Sequence, residues 1–401
     1  MKPLLAFLPL LALSQDFTQK GTLEFRGFAY PQDAVNDRAN FVGEALFRYE
    51  FSRALLPGLR LNGTTETRFD SHHQVERRFF VNYADRTVRR PAFSIRRASL
   101  LYSKRRFTAE AGKQYIRWGK ADILNPTDRF APRDFLAVVD NDVLGVTAAR
   151  VIYEAASDSF ELVAQPLFTP SRTPLLNQRW TVLPEPVPIV DRGSRLPGGT
   201  AAGARWNHLG RGYEMSLSFY NGHNHLPLVN AQLIPSPFAV QIERYFPKLR
   251  LYGADVAIPL RPFTLKAEAA YYTSSTPSAD EYVIYVIQAE RDIGQLSIVA
   301  GYAGEHLTAK RSLIDFNPDR GFAKSVLGRA SYELGPTRSV ATEYAIRQNG
   351  DGMWLRFQYS QTFGQHWRAI GGYTLIRGEP GDFLGQYRRN SHGLLTFRYS
   401  F

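Results

Sequence analysis

The sequence predicts an all-β fold: a transmembrane, antiparallel, up-and-down β-barrel of about eighteen strands, sixteen being the lower count, with one loop folded inward. Three observations predict it. The chain ends on a strand of alternating aromatic residues. No apolar run in its 401 residues reaches the ~18 that a membrane helix needs. From Thr22 onward, strand-length segments are joined by connections that alternate short and long.

The terminal strand is Ser391-His-Gly-Leu-Leu-Thr-Phe-Arg-Tyr-Ser-Phe401. Leu395, Phe397, Tyr399 and Phe401 form one row, and His392, Leu394, Thr396, Arg398 and Ser400 the other. Side chains alternate faces along a strand, so one face is aromatic and apolar and the other mostly polar. Ending on a bare aromatic, it resembles the closing strand of a bacterial outer-membrane barrel. That resemblance implies that Leu395, Phe397, Tyr399 and Phe401 are read by the barrel-insertion machinery, a partner of the assembling chain.

Composition agrees. Mean hydropathy is −0.29 although 44% of residues are hydrophobic. The one strongly apolar run, Leu4–Leu13, follows Met1-Lys2 and ends at Ala12-Leu13-Ser14, the pattern of a secretory signal. The expected organisation is therefore a signal peptide at residues 1–14 and a single outer-membrane barrel at 15–401. There is no cysteine, and a closed hydrogen-bond ladder needs none. The 21 Tyr and 27 Phe suit interfacial aromatic girdles. The formal charge of +12 would also suit a nucleic-acid binder, but the basic residues are spread along the strands and the signal leads out of the cytoplasm, so no nucleic-acid partner is expected. Outer-membrane lipids and lipopolysaccharide are the expected surroundings.

Taken in order, strands are expected at Leu23–Tyr30, Phe41–Phe51 and Leu59–Asp70, with a tight turn at Leu56-Pro-Gly58 and a long basic loop at His72–Arg90. Phe93–Tyr102 and Phe107–Trp118 flank Lys104-Arg-Arg106, and a long loop runs from Gly119 to about Asp142. Val143–Tyr153 and Phe160–Phe168 precede a Pro-rich loop, Thr169–Gly199. Ala201–Trp206 and Tyr213–Tyr220 precede the loop Asn221–Phe246. Strands follow at Leu249–Ile258, Phe263–Tyr272, Tyr282–Ala289, Leu296–Tyr302, Val326–Leu334, Val340–Ile346, Met353–Gln361 and Trp367–Leu375, and the loop Arg377–Arg389 leads to the closing strand. The short turns and both termini are expected in the periplasm, and the long loops outside the cell. No blade motif or short repeat suggests a propeller or solenoid.

On most strands one row is apolar and the other carries charge. Charge facing lipid costs a few kcal/mol near the midplane, so the charged row is expected to face inward. That row holds Arg48, Arg60, Arg68, Arg205, Lys266, Arg329, Arg347, Arg356, Arg368 and Arg398, with Glu44, Glu66, Glu110, Glu214, Glu268, Glu333 and Glu343 among them. These charges either pair across strands or leave an arginine surplus that favours anions.

The stretch expected to carry specificity is Gly112–Asp134, where Asp122, Asp128 and Asp134 alternate with Arg117, Lys120, Arg129 and Arg133 and Asn125-Pro126 and Ala131-Pro132 start turns. It suits a loop folded against the inner wall and held by Asp–Arg pairs, serving as a pore constriction or as a brace. Calcium at the aspartates is argued against by the interleaved arginines. The run Gly112-Lys-Gln, Trp118-Gly, Asn125-Pro and a following Asp resembles large porin-like outer-membrane families, and more distantly the alginate-export barrels. The resemblance implies a channel.

Enzymatic readings find little support. There is no Gly-x-Ser-x-Gly elbow, and His72-His73 and His223-Asn-His225 fall in expected loops without a nucleophile. No enzyme activity and no cofactor are expected. The function expected is an outer-membrane channel passing small anionic solutes through an arginine-rich lumen. The alternatives are an export duct for an acidic polysaccharide and a structural or adhesive surface barrel.

Overall fold

The computed structural model describes residues 17–182, 188–312 and 316–401. The expected signal peptide and part of the Pro-rich loop lie outside these. Alternation of outward apolar and inward polar residues forms the strands, and short turns set their pairing. Strands β1 (Phe17–Ala29), β2 (Phe41–Leu56), β3 (Leu59–Asp70), β4 (Phe93–Lys104), β5 (Phe107–Gln114) and β6 (Val146–Ala155) open the chain. They are followed by β7 (Asp158–Leu167), β8 (Ala201–Gly210), β9 (Tyr213–His223), β10 (Lys248–Pro259), β11 (Thr264–Thr273) and β12 (Glu281–Ile293). The last six are β13 (Leu296–Ala309), β14 (Ser325–Gly335), β15 (Arg338–Arg347), β16 (Gly352–Phe363), β17 (Trp367–Gly378) and β18 (His392–Ser400).

Each strand pairs antiparallel with its neighbours in sequence, and β1 pairs with both β2 and β18, so the 18-stranded sheet closes on itself. At the seam Leu23 lies opposite Tyr399 and Phe25 opposite Phe397, and Gly21 and Phe401 exchange backbone hydrogen bonds of 2.8 and 3.0 Å. The Phe401 ring occupies the space that a Cβ on Gly21 would need.

The outer face is apolar. Phe25, Phe47, Leu100, Tyr153, Leu162, Leu217, Tyr252, Ile287, Phe357, Trp367, Leu395 and Phe397 are all exposed there. A continuous apolar exterior on a closed barrel is a lipid-facing surface. Among the described residues, no helix is long and apolar enough to cross a membrane.

Several expected boundaries move: β1 begins at Phe17 and not Leu23, β2 runs on to Leu56, β8 to Gly210 and β13 to Ala309. The strand expected to run to Trp118 stops at Gln114, two residues after Gly112, whose φ of +116° is in the region that suits glycine. The expected loop Asn221–Phe246 contains a hairpin, Leu228–Pro235 with Phe238–Tyr245, whose second strand also pairs with Ile189–Arg195.

Candidate functional site

The segment between β5 and β6 leaves the wall at Tyr115 and folds inside the barrel. Its anchor is Glu268 of β11. One carboxylate oxygen accepts from the Lys120 and Ala121 amides at 3.0 and 3.1 Å, and the other from the Thr127 amide and hydroxyl at 2.7 and 2.8 Å. Gly119, at φ +93°, rests directly against this carboxylate, where any Cβ would collide with it. The buried negative charge is thus met by four oriented donors, an arrangement that replaces a solvation shell. Further contacts spread over the neighbouring strands. Trp118 Nε1 donates to Glu161 of β7 at 2.9 Å, Lys120 Nζ reaches Glu214 of β9 at 2.5 Å, and Tyr272 of β11 donates to the Pro126 carbonyl at 2.5 Å. Lys266 of β11 bonds Asp122 at 2.9 Å, and the side-chain amide of Gln288 of β12 holds the same residue at both ends, accepting from the Asp122 backbone amide at 3.0 Å and donating to its carboxylate. A segment touching β7, β9, β11 and β12 at once, and β16 through Arg356 to the Val139 carbonyl at 2.7 Å, lies within the ring.

Beneath these polar contacts is an apolar core. Ile116, Trp118, Leu124, Phe130 and Val138 of the segment pack with Tyr220, Leu251, Tyr272, Ile284, Leu327, Trp354 and Ile376 of the wall. Phe130 meets Trp118 and Tyr220 edge-on, each at 5.1 Å. The inner row of the wall therefore changes along the strands that carry the segment. It is apolar towards the long loops, where the segment packs, and polar towards the short turns, as in Leu251 then Asp255, or Trp354 then Arg356. On most strands a charged inner row was expected; the apolar belt is what pays for seating a folded segment there, because burial against it removes water from both surfaces.

The closed ring as a whole has counterparts among solved structures. The chain is similar to OccAB4 of Acinetobacter baumannii (TM-score 0.55, 10% identity, covering 96% of this chain and 97% of that one). It is equally similar to a BenF-like porin from Pseudomonas fluorescens Pf-5 (TM-score 0.55, 9% identity, 96% and 98% covered) and close to OpdQ of Pseudomonas aeruginosa (TM-score 0.53, 10% identity, 97% and 99% covered). No protein-family model matches the sequence, and no curated protein matches it. The fold is that of the bacterial outer-membrane porins. The apolar exterior seats this porin fold in the outer membrane. The more distant resemblance to alginate-export barrels finds no support in these neighbours.

Within the porin fold, directly opposed residues of antiparallel strands share a face, so the register places every charged wall residue. Traced from Glu268, the inner row carries Arg48, Arg60, Arg68, Arg205, Lys266, Arg329, Arg347, Arg356, Arg368 and Arg398. Most are paired. Arg48 and Arg68 flank Glu66 at 2.7 and 2.9 Å, Arg205 bonds Asp255 at 3.0 Å, Arg347 bonds Asp382 at 2.8 Å and Arg398 bonds Glu24 at 2.5 Å. Lys266 adds Glu290 at 2.7 Å, and Arg329 and Arg356 share Glu343 at 3.5 and 3.9 Å. Among the described residues, Arg60 and Arg368, near the short turns, reach only the hydroxyls of Ser52 and Thr362, each at 3.4 Å.

The charges of the inner segment pair mostly with the rest of the molecule. Only Arg117 and Asp128 pair within it. Burial lifts the Asp128 carboxyl above its usual range although Arg117 opposes the shift. Arg129 was expected in the inward-folded loop, as constriction or brace; its guanidinium lies over the Tyr272 ring, 5.2 Å from the centroid, and bonds Asp319 at 2.9 Å, with the side chain 11% exposed. Arg133 bonds Asn141 at 2.9 Å. Asp134 takes Arg90 at 2.8 Å and Arg172 at 3.1 Å. Burial works against its charge, yet the two guanidiniums hold the carboxyl well below the usual range.

Sequence reasoning missed those partners. Arg90 and Arg172 come from two other loops, and Arg172 continues through Asp85, at 3.0 Å, to Lys113, 2.5 Å further on. The result is a buried chain of alternating charges that ties the loops to the segment. No local pattern marks such residues, since each lies in a loop rich in arginine. His225 was expected in a loop, and it lies in one, but buried: it is stacked on Phe168 at 5.3 Å, with Nδ1 2.6 Å from the Thr169 carbonyl and Nε2 2.9 Å from the Arg129 carbonyl. Burial pushes its pKa down to about 4 against the pull of these two acceptors.

Proposed function

We propose that this protein is a porin-type diffusion channel for small anionic solutes, narrowed by the segment Arg117–Asp134. The observation that carries the reading is the placement of that segment inside the closed ring, pinned to β7–β12. Solute would then pass between the segment and the far side of the ring, where β18 to β4 lie. Charge on that arc is arranged asymmetrically. In the pairs Arg26–Glu24, Arg48–Glu66, Arg97–Glu110 and Arg398–Glu24, the arginine side chains are 30–35% exposed and the carboxylates 3–8%. Arg117, on the segment itself, is 48% exposed while its partner Asp128 is 2%. Glu24 serves two of these arginines, so the group carries four guanidiniums on three carboxylates and offers its positive ends to the water-filled side. Low-dielectric walls strengthen the field there, which favours anions. Other pairs run the other way, with Glu214, Asp142, Asp122, Glu290, Asp140 and Glu343 more exposed than the cations Lys120, Arg96, Lys266 and Arg356 that they meet, so the preference expected is a lead and not an exclusion of cations.

The test is the reversal potential of single channels under a salt gradient, for wild type and for a variant with Arg48, Arg97 and Arg398 changed to Gln. An anion lead that shrinks in the variant supports the reading. A wild-type channel selective for cations overturns it. A barrel that conducts nothing would favour the structural or adhesive role.

A further inference from the structure

On the outer face, the strands β9, β10 and β11 change character together. From the short-turn end, the outward residues of β10 run Ile258, Val256, Ala254, Tyr252 and then Arg250 and Lys248. In β9 the same step goes from Phe219 to Asn221 and His223, and in β11 from Tyr271 to Thr273. Phe219 and Tyr252 touch, with ring centroids 5.3 Å apart. Interfacial aromatics mark the edge of the hydrocarbon layer, so the residues one and two steps beyond them stand at headgroup level.

There the register sets His223 opposite Lys248, with Arg250 beside them facing Asn221 and Thr273. Lys248 and Arg250 stand two apart on one face of the strand, so two permanent positive charges meet at one place, and something negative between them would relieve their repulsion. The one carboxylate bordering the site, Glu281, is engaged by Arg311 at 3.2 Å. Between these residues and the backbone of Gly198, Gly199 and Thr200 is a cleft of about 490 Å³. On another part of the outer face, Arg377 at the end of β17 has Met353 opposite it.

We propose that this cleft binds the phosphate of an acidic lipid headgroup in the leaflet at the long-loop rim. Lys248 and Arg250 supply charge, Asn221 and Thr273 donate hydrogen bonds, and the aromatic edge below them seats the acyl region. The site depends on the barrel's seat in a membrane and not on its selectivity for solutes.

The purified barrel, exchanged into phosphatidylcholine nanodiscs doped with diphosphoryl lipid A, would be analysed by native mass spectrometry for retained lipid. The paired substitution Lys248→Gln with Arg250→Gln is expected to weaken retention about thirtyfold, from roughly one basic contact's worth of energy at each position. Lys248→Arg is expected to retain the lipid, which separates lost charge from lost folding, and Arg377→Gln is expected to change nothing. Equal retention by the paired variant would overturn the proposal. So would displacement of the lipid by inorganic phosphate at equal concentration, which would make the cleft a site for the free anion.

Discussion

Removing the Glu268 carboxylate should release the inner segment without opening the barrel. In Glu268→Ala, the amides of Lys120, Ala121 and Thr127 and the Thr127 hydroxyl lose their common acceptor. A buried donor left without a partner costs about 1–3 kcal/mol. Four of them would cost at least about 4 kcal/mol if the site stayed dry. Lumen water will satisfy some, so about 3 kcal/mol is a reasonable loss of docking energy, or roughly a hundredfold shift towards the undocked state. The strand itself loses nothing, because its ladder hydrogen bonds to β10 and β12 do not involve the side chain. Glu268→Gln keeps the shape and one acceptor oxygen but turns an amide group towards donors, so it should fall between. The assay is single-channel recording in planar bilayers at fixed salt, with heat-modifiable gel mobility as the check that the barrel has formed. The alanine variant should show larger or fluctuating conductance. A properly folded variant with wild-type conductance, noise and selectivity would refute the idea that this carboxylate holds the segment in place.

Three further outcomes follow from the same structure. His225 is held neutral by the fold, since its pKa lies near 4, below the ordinary histidine value of 6.5. The unfolded chain therefore binds more protons between these values, and the stabilisation is complete above pH 6.5 and lost as pH falls towards 4, by at most about 3 kcal/mol. Channel current should change across that window, and a His225→Asn variant should lose the dependence; a pH-independent wild type would count against it. Replacing Phe401 with a charged residue should impair assembly far more than a similar change in a loop, because its ring covers Gly21 at the β1–β18 seam. Normal membrane levels of that variant would contradict this. Protease added to intact cells should cut near Leu233 and Phe238, exposed in the hairpin of the loop Asn221–Phe246; cleavage confined to Leu56–Gly58 or Gly335-Pro336 would reverse the orientation.

The barrel was legible because each of its determinants is local. Alternation in a stretch such as Phe41–Phe51, a turn such as Leu56-Pro-Gly58 and the terminal row ending at Phe401 each state a strand or a connection within a dozen residues. The inner segment was legible as far as its turns and its density of charge. What could not be read was the choice of partners. Asp134 meets Arg90 and Arg172 from distant loops, and Glu268 meets amides, which leave no mark in a sequence. The apolar belt was hidden for a related reason. In Tyr282-Val-Ile-Tyr-Val-Ile287 both rows are apolar, which reads as a noisy strand until a folded segment is found packed on its inner side. His225 shows the converse, a polar residue in a loop that the fold draws into its interior.

The most direct measurement of the central claim is the single-channel current of the wild type beside a variant whose Arg117–Asp134 stretch is replaced by a short flexible linker. If the segment narrows an anion-favouring pore, the wild type conducts with a reversal potential shifted towards anions, and the shortened chain conducts more and discriminates less. Equal conductance and equal selectivity in the two, with both barrels folded, would contradict the account and make the segment a brace.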